Sequence, residues 1–246
     1  LGADDGIGMA AALAVLASAT VEHPALEALF TVDEETGLTG AFGLGEGMLT
    51  GKYLINLDSE DEGELFIGCA GGVDTVATFR PMVTPAPDEF EYFRVDVKNL
   101  LGGHSGDDID KGRANSNKLV ARLLYELLPY GLVLNRFDGG NLRNAIPREA
   151  TATVLVRTKE FEAFQKEVHA FEKLMKAEFA GIEESISIKA KACDRPSEMI
   201  SKEVQGKLIC AVAACPDGLQ RMSLAMPGLV QTSTNLARVV SDGRSV

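Results

Sequence analysis

Six acidic residues early in the chain stand where a metal centre would need them. Asp4 and Asp5 precede an apolar stretch, Asp33, Glu34 and Glu35 follow one apolar run, and Asp58 follows another. In open α/β sheets ligands gather at the carboxyl ends of strands, so carboxylates from separate strand ends meet in one crevice. Converging carboxylates repel one another unless cations sit between them. Zinc or manganese would take such oxygens at about 2.0–2.2 Å. Glu34 and Glu35 are adjacent, so on an extended stretch they point to opposite sides. One can then hold a metal while the other takes a proton from an activated water, the division of labour of a metallohydrolase. The plainer alternative is solvated loop ends, or a helix N-cap at Asp4.

Two further segments carry usable groups. His104 lies in a glycine-rich loop, GGHSG, where the backbone can approach a ligand closely and the ring can donate to a carboxylate or a developing oxyanion. Asn144, in RNAIP, can orient a substrate carbonyl or simply hold a turn. His23 precedes a proline and His169 sits among charges, so both read as structural or solvated, and the Asp107, Asp108, Asp110 run reads as a solvated loop or helix lead-in. Cys69, Cys193, Cys210 and Cys215 have no C-x-x-C spacing and read as ordinary thiols.

Positioning those groups requires a folded frame, and the composition supplies one. The 246 residues are 46% hydrophobic, enough for a core. The formal net charge of −12 argues against a nucleic-acid or anionic-membrane surface, and no apolar run approaches the roughly 18 residues of a membrane span. With no signal peptide at the start and unpaired cysteines, the expected location is the cytoplasm. Gly6 to Ala17 predicts a buried helix. Leu26 to Val32, Tyr53 to Leu57 and Leu65 to Cys69 predict buried strands, with a glycine-punctuated helix over 40–49. Alternation of strand and helix points to an α/β sheet with a largely parallel core.

From about Val73 the pattern changes to longer, alternating strands. Strands are predicted over 74–79, 92–97, 151–156 and 185–191, helices over 115–128, 160–179 and 202–214, and one or two strands over 229–240. Strand, helix, strand, strand, helix, strand suggests an antiparallel α+β layer. The expected division is a catalytic metal-binding part over 1–72 and a second, lid-like domain over 73–246.

LGADDGIGMA, TVDEETG, NLDSED, GGHSG and RNAIP, followed by PDGLQRMS and GLVQTSTNLA, stand in the order of the M20-type metallopeptidases. The chain resembles most the aminoacyl-histidine dipeptidase branch of that family. The resemblance implies an α/β catalytic domain holding two divalent metal ions, zinc with manganese or cobalt as alternatives, and a lid domain inserted into it. By motif, Asp4 corresponds to the carboxylate bridging both metals, Glu34 to the general base, Glu35 to a ligand of one metal and Asp58 to a ligand of the other. His104 and Asn144 correspond to substrate-contacting positions in the lid. The implied partners are a dipeptide substrate of the Xaa-His type and a second copy of the chain, with neither nucleic acid nor membrane.

The family also uses a His-x-Asp motif upstream of Asp4 and a ligand histidine near its C-terminus, and no histidine here stands in either context. The chain is therefore expected to be an internal fragment, weak in metal binding and inactive by itself. Two alternatives accompany this reading: a related tripeptidase, carboxypeptidase or N-deacylase with the same site, and a non-catalytic binding or dimerisation module.

Overall fold

A computed structural model describes residues 5–58, 62–80, 82–242 and 245–246, the side chains of residues 35 and 36 excepted. The chain divides into two units, Leu1–Val73 and Asp74–Val246.

In the first unit, α1 spans Gly6–Ala17, the stretch the sequence predicts. Its alanines and leucines are strong helix formers. Asp5, not Asp4, is the N-cap, its Oδ1 accepting the Gly8 N–H at 2.9 Å. The helix is not buried as expected: Gly8 is its one buried residue, while Ile7, Met9, Leu13 and Leu16 are exposed. In place of a helix over 40–49 there are two single turns, α2 (Glu34–Gly37) and α3 (Thr39–Phe42). Asp33 and Leu38 start them from left-handed backbone, with φ of 62° and 56°. The Gly40 N–H donates to Val32 O at 3.0 Å, and a side chain on Gly40 would collide with the Val32 backbone.

Residues 26–32, 53–57 and 65–69 belong to no strand, and their apolar side chains are exposed. An apolar run states a need for burial, but a strand exists only through ladder bonds to a neighbour. No neighbour offers them among the described residues. The mixed α/β character holds, while every ladder the structure describes is antiparallel.

The second unit contains, in chain order, β1 (Val83–Pro85), β2 (Phe90–Lys98), β3 (Gly103–His104), α4 (Ser116–Leu127), β4 (Val133–Gly139), β5 (Ala145–Ile146), β6 (Ala150–Arg157), α5 (Phe161–Glu178), β7 (Ser187–Ala192), β8 (Glu198–Ile200), α6 (Lys202–Ala214), β9 (Gly218–Met222) and β10 (Val230–Thr234). Strands β4, β6, β2 and β7 lie side by side in that order, and β2-α4-β4-β6-α5-β7 has the strand, helix, strand, strand, helix, strand order suggested from the sequence, although β4 is not among the strands predicted. Residues 74–79 form no strand, although Phe79 exchanges both backbone bonds with Val246 at 2.8 and 2.9 Å.

One main core and a smaller cluster of Ala86, Val133 and Leu155 hold this unit. Phe93, Val95 and Val97 of β2 and Ala152, Val154 and Val156 of β6 pack with Leu119, Leu123 and Leu127 of α4 and Phe164, Val168, Phe171 and Met175 of α5. Each of these valine, leucine, phenylalanine and methionine side chains contributes about 1.5–3 kcal/mol when fully buried. At the β4 edge a bulge sits between Leu134 and Arg136. There Gln205 of α6 accepts the Leu134 N–H and donates to Leu132 O, both at 2.8 Å, so a buried amide closes an otherwise open edge.

Candidate functional site

The acidic residues of the first unit are only partly within view. Asp4 lies outside the described residues, and of Glu35 the backbone alone is described. Glu34 and Glu35 open α2, a helical turn and not the extended stretch expected of them, because Asp33 in left-handed backbone turns the chain and Thr39 Oγ1 donates to its Oδ2. Glu34 is exposed. Asp58 is also exposed, its N–H donating to Asn56 Oδ1 at 3.2 Å. Among the described residues no group of three or more His, Cys, Asp or Glu side chains could hold a metal ion. The donor set suits a divalent cation in kind, being carboxylate oxygen throughout. Of the three expected ligands, however, only the Asp58 side chain is described.

The second unit does bring its two motifs together. Although forty residues separate His104 from Asn144 in the chain, the GGHSG and RNAIP segments pair as β3 and β5, with Gly103 opposite Ile146 and His104 opposite Ala145. The Ser105 N–H donates to Asn144 O at 2.8 Å and extends that pairing by one step. Both His104 and Asn144 are exposed. His104 Nδ1 accepts the Gly106 N–H at 3.2 Å and lies 3.1 Å from Asp107 Oδ2. With Nδ1 accepting, the neutral ring carries its proton on Nε2, which is the arrangement of a donor to an oxygen. A proton on Nδ1 would instead let that atom donate to Asp107, at the expense of the Gly106 bond. His23 and His169 are exposed.

Asp108, read from the sequence as a solvated loop residue, is instead the clamp behind His104. Its carboxylate accepts the His104 N–H at 2.9 Å, Lys111 Nζ at 2.6 Å and Arg113 at 3.0 Å, and Arg113 also donates to Gly102 O at 2.5 Å. The Lys111 hydrogen bond first, then the His104 N–H, hold its pKa below the ordinary aspartate value. Gly103 has φ 138°, and a Cβ there would strike both Asp108 and Arg113. The glycine pair before His104 was the available sequence signal for this crowding.

A second network anchors β5 from below. Asn115, the N-cap of α4, donates to Asp217 Oδ1 at 2.8 Å, and the same oxygen accepts the Leu236 N–H at 2.8 Å. Asn235 Nδ2 donates to Ala145 O at 2.8 Å. Asp217 belongs to PDGLQRMS, and Asn235 and Leu236 to GLVQTSTNLA, so the second late motif bonds to RNAIP directly and the first holds the second through Leu236. Burial pushes the Asp217 carboxyl up, against the hydrogen bonds from Leu236 and Asn115. The four cysteines are free thiols, and among the described residues no helix is long and apolar enough to cross a membrane.

Residues 95–183 match the peptidase dimerisation domain of the M20 type. The cytosol non-specific dipeptidase of Escherichia coli K12 is 40% identical over 247 aligned positions, covering 100% of this chain and 51% of that protein. The uncharacterized protein YqjE of Bacillus subtilis 168 is 31% identical over 70% of this chain and 45% of its own length. The chain spans about half the length of the curated relatives it matches. The crystal structure of aminoacylhistidine dipeptidase from Vibrio alginolyticus superposes with a TM-score of 0.83 at 42% identity, over 100% of this chain and 50% of that one. Residues 95–183 thus resemble an M20-type peptidase dimerisation domain, and the chain along its whole length is similar to about half of an aminoacylhistidine dipeptidase.

Proposed function

We propose that this chain is part of a metal-dependent dipeptidase acting on Xaa-His dipeptides. The observation that carries the reading is the likeness, along the whole of this chain, to about half of a dipeptidase at 40% identity. The β3–β5 pairing of the His104 and Asn144 loops supports it further.

In this reading Asp4, Glu35 and Asp58 would hold two divalent metal ions, zinc by preference. Bound there, the ions would stabilise charge on the scissile carbonyl and lower the pKa of the attacking water. Glu34 takes a proton from that water and delivers it to the leaving amine. His104 Nε2 donates to the carbonyl oxygen as its charge develops, and Asn144 orients the substrate. Residues 1–72 serve as part of the catalytic domain and 73–246 as the lid. Residues 1–246 by themselves are inactive, because their three histidines leave the metal ions short of ligands.

A homodimer follows from the matched dimerisation domain, and sedimentation of the chain tests it. The cytoplasm is the proposed location, in keeping with the cytosolic name of the relative. A tripeptidase, carboxypeptidase or N-deacylase would share this chemistry and is separated by substrate profile.

The deciding experiment is hydrolysis of Xaa-His dipeptides by the full-length protein, with and without EDTA, followed by zinc or manganese. Cleavage abolished by EDTA and restored by metal is expected. Cleavage indifferent to EDTA would overturn the metal, and metal binding without dipeptide cleavage would favour the related hydrolases. Glu34→Ala should lower kcat about 10²- to 10⁴-fold with metal content unchanged.

A further inference from the structure

Glu183 is the most deeply buried carboxyl among the described residues, at 1% exposure, and the mechanism above does not use it. It lies in the connection between α5 and β7, and among the described residues no cation pairs with it. Its Oε2 accepts the Leu101 N–H at 2.8 Å, and its Oε1 accepts the Ala114 N–H at 3.0 Å. Those two amides stand at the two ends of one loop, 101–114, which contains His104, Asp107, Asp108, Lys111 and Arg113.

A buried carboxyl without a cation is costly, and a core position needing only bulk would be filled by an apolar residue. What a carboxyl offers here is two acceptors and no donor on one short side chain. Glutamine would match one amide and turn an NH₂ group toward the other. The loop is then held at three levels. Glu183 closes its neck, the Asp108–Arg113 pair fixes Gly102, Gly103 and the His104 N–H, and β5 pairs with its outer side. Arg148 Nε adds a bond to Leu100 O at 3.3 Å just before the neck.

We propose that Glu183 is a positioning residue for His104: by tying both ends of the 101–114 loop to one buried carboxyl, it sets where the imidazole stands. The proposal rests on the reading of His104 as a substrate-contacting group. Glu183 touches no substrate and acts through the backbone alone.

The test compares wild type, Glu183→Gln, His104→Ala and the double variant in the full-length protein, following amide exchange and Xaa-His hydrolysis. Glu183→Gln should speed exchange at Leu101 or Ala114 and leave the β2 and β6 amides protected. It should lower kcat about ten- to a hundredfold with KM unchanged, the range for groups that orient a functional residue through another. Because Glu183 works through His104, the double variant should be no slower than His104→Ala alone. Several results overturn the proposal: unchanged exchange at both amides, a His104-dependent rate that Glu183→Gln leaves intact, or an equal loss from Glu183→Gln in the His104→Ala background. His104→Ala at the wild-type rate instead removes the underlying reading of His104. Should Glu183→Gln not fold, wild-type exchange at the exposed Leu101 decides, since a fast-exchanging amide there has no bond to Glu183.

Discussion

The two units are written in similarly apolar sequence and end in different states. In the first, Tyr53, Leu54 and Ile55 are 93%, 81% and 82% exposed, and no described segment pairs with them. In the second, Leu124, Val154 and Phe164 are wholly buried, because four antiparallel strands and three helices close on one core. Burial is thus a property of partners more than of composition. A strand half-built from one side leaves its side chains in water, however hydrophobic they are. The same division separates the functional residues. The expected metal carboxylates fall in the first unit, where the described residues form no buried hydrophobic cluster, whereas the expected substrate-facing residues stand on a ladder braced by side-chain bonds.

The largest expected effect sets one buried ring against one exposed ring. Phe164→Ala should cost about 3–5 kcal/mol, as truncation of a fully buried aromatic does. Phe66→Ala, at 61% exposure, should stay within about 0.5 kcal/mol. Urea denaturation of the chain measures both. A Phe66→Ala cost comparable to that of Phe164→Ala would mean that the first unit has a core after all, and the contrast would fail.

How far the fold was legible follows the same line. Local signals sufficed for α1 and α6, which match their predicted spans to the residue, and for α4, whose Asn115 cap and apolar stripe are visible in sequence. The strands β2, β6 and β7 were found because they alternate. β4 was missed because VLNRFDG carries Asn, Asp and Gly, residues that ordinarily mark turns, and its place comes from pairing with β6. The segments 26–32, 53–57 and 65–69 failed in the opposite sense, promising strands whose partners no local pattern can supply. At the site, His104 and Asn144 were legible as motifs, and their pairing was not. Asp108 and Glu183 were invisible, since a loop acid reads as solvated until the amides around it are known.

A smaller effect comes from the two helix caps. Asn115 accepts the Asn117 and Lys118 N–H groups at 2.9 and 3.3 Å and also donates to Asp217 and Leu236 O. Among the described residues the Asp5 side chain holds the Gly8 N–H alone. Asn115→Ala should therefore cost about 2 kcal/mol, the upper end for a cap, and Asp5→Ala about 0.5–1 kcal/mol. Equal losses would show α1 to be as firmly tied into its surroundings as α4.

The smallest effect is one of sign. Glu27 of the first unit accepts from Thr50 N and Oγ1 and from Gly51 N at 2.9, 2.8 and 3.0 Å, and those bonds, the Thr50 N–H foremost, hold its pKa below the ordinary glutamate value. Its contribution is complete above that value and is lost as pH falls through the depressed folded pKa. Asp217 of the second unit is shifted the other way, chiefly by burial. The folded state then holds the proton more tightly than the unfolded chain, so the stability linked to Asp217 is greatest below the ordinary aspartate value and is eroded as pH rises through the raised folded pKa. Asp217→Asn keeps an Oδ1 acceptor for Leu236 and Asn115 and removes the charge. It should flatten the pH dependence of the second unit's urea midpoint above the aspartate range while leaving the midpoint at acid pH almost unchanged. Glu27→Gln should speed exchange of the Thr50 or Gly51 amide at neutral pH and leave the second unit untouched. If acidification instead weakens the second unit through Asp217, its hydrogen bonds outweigh its burial. The carboxyl would then behave like those of the exposed unit, and burial would no longer be what distinguishes the two.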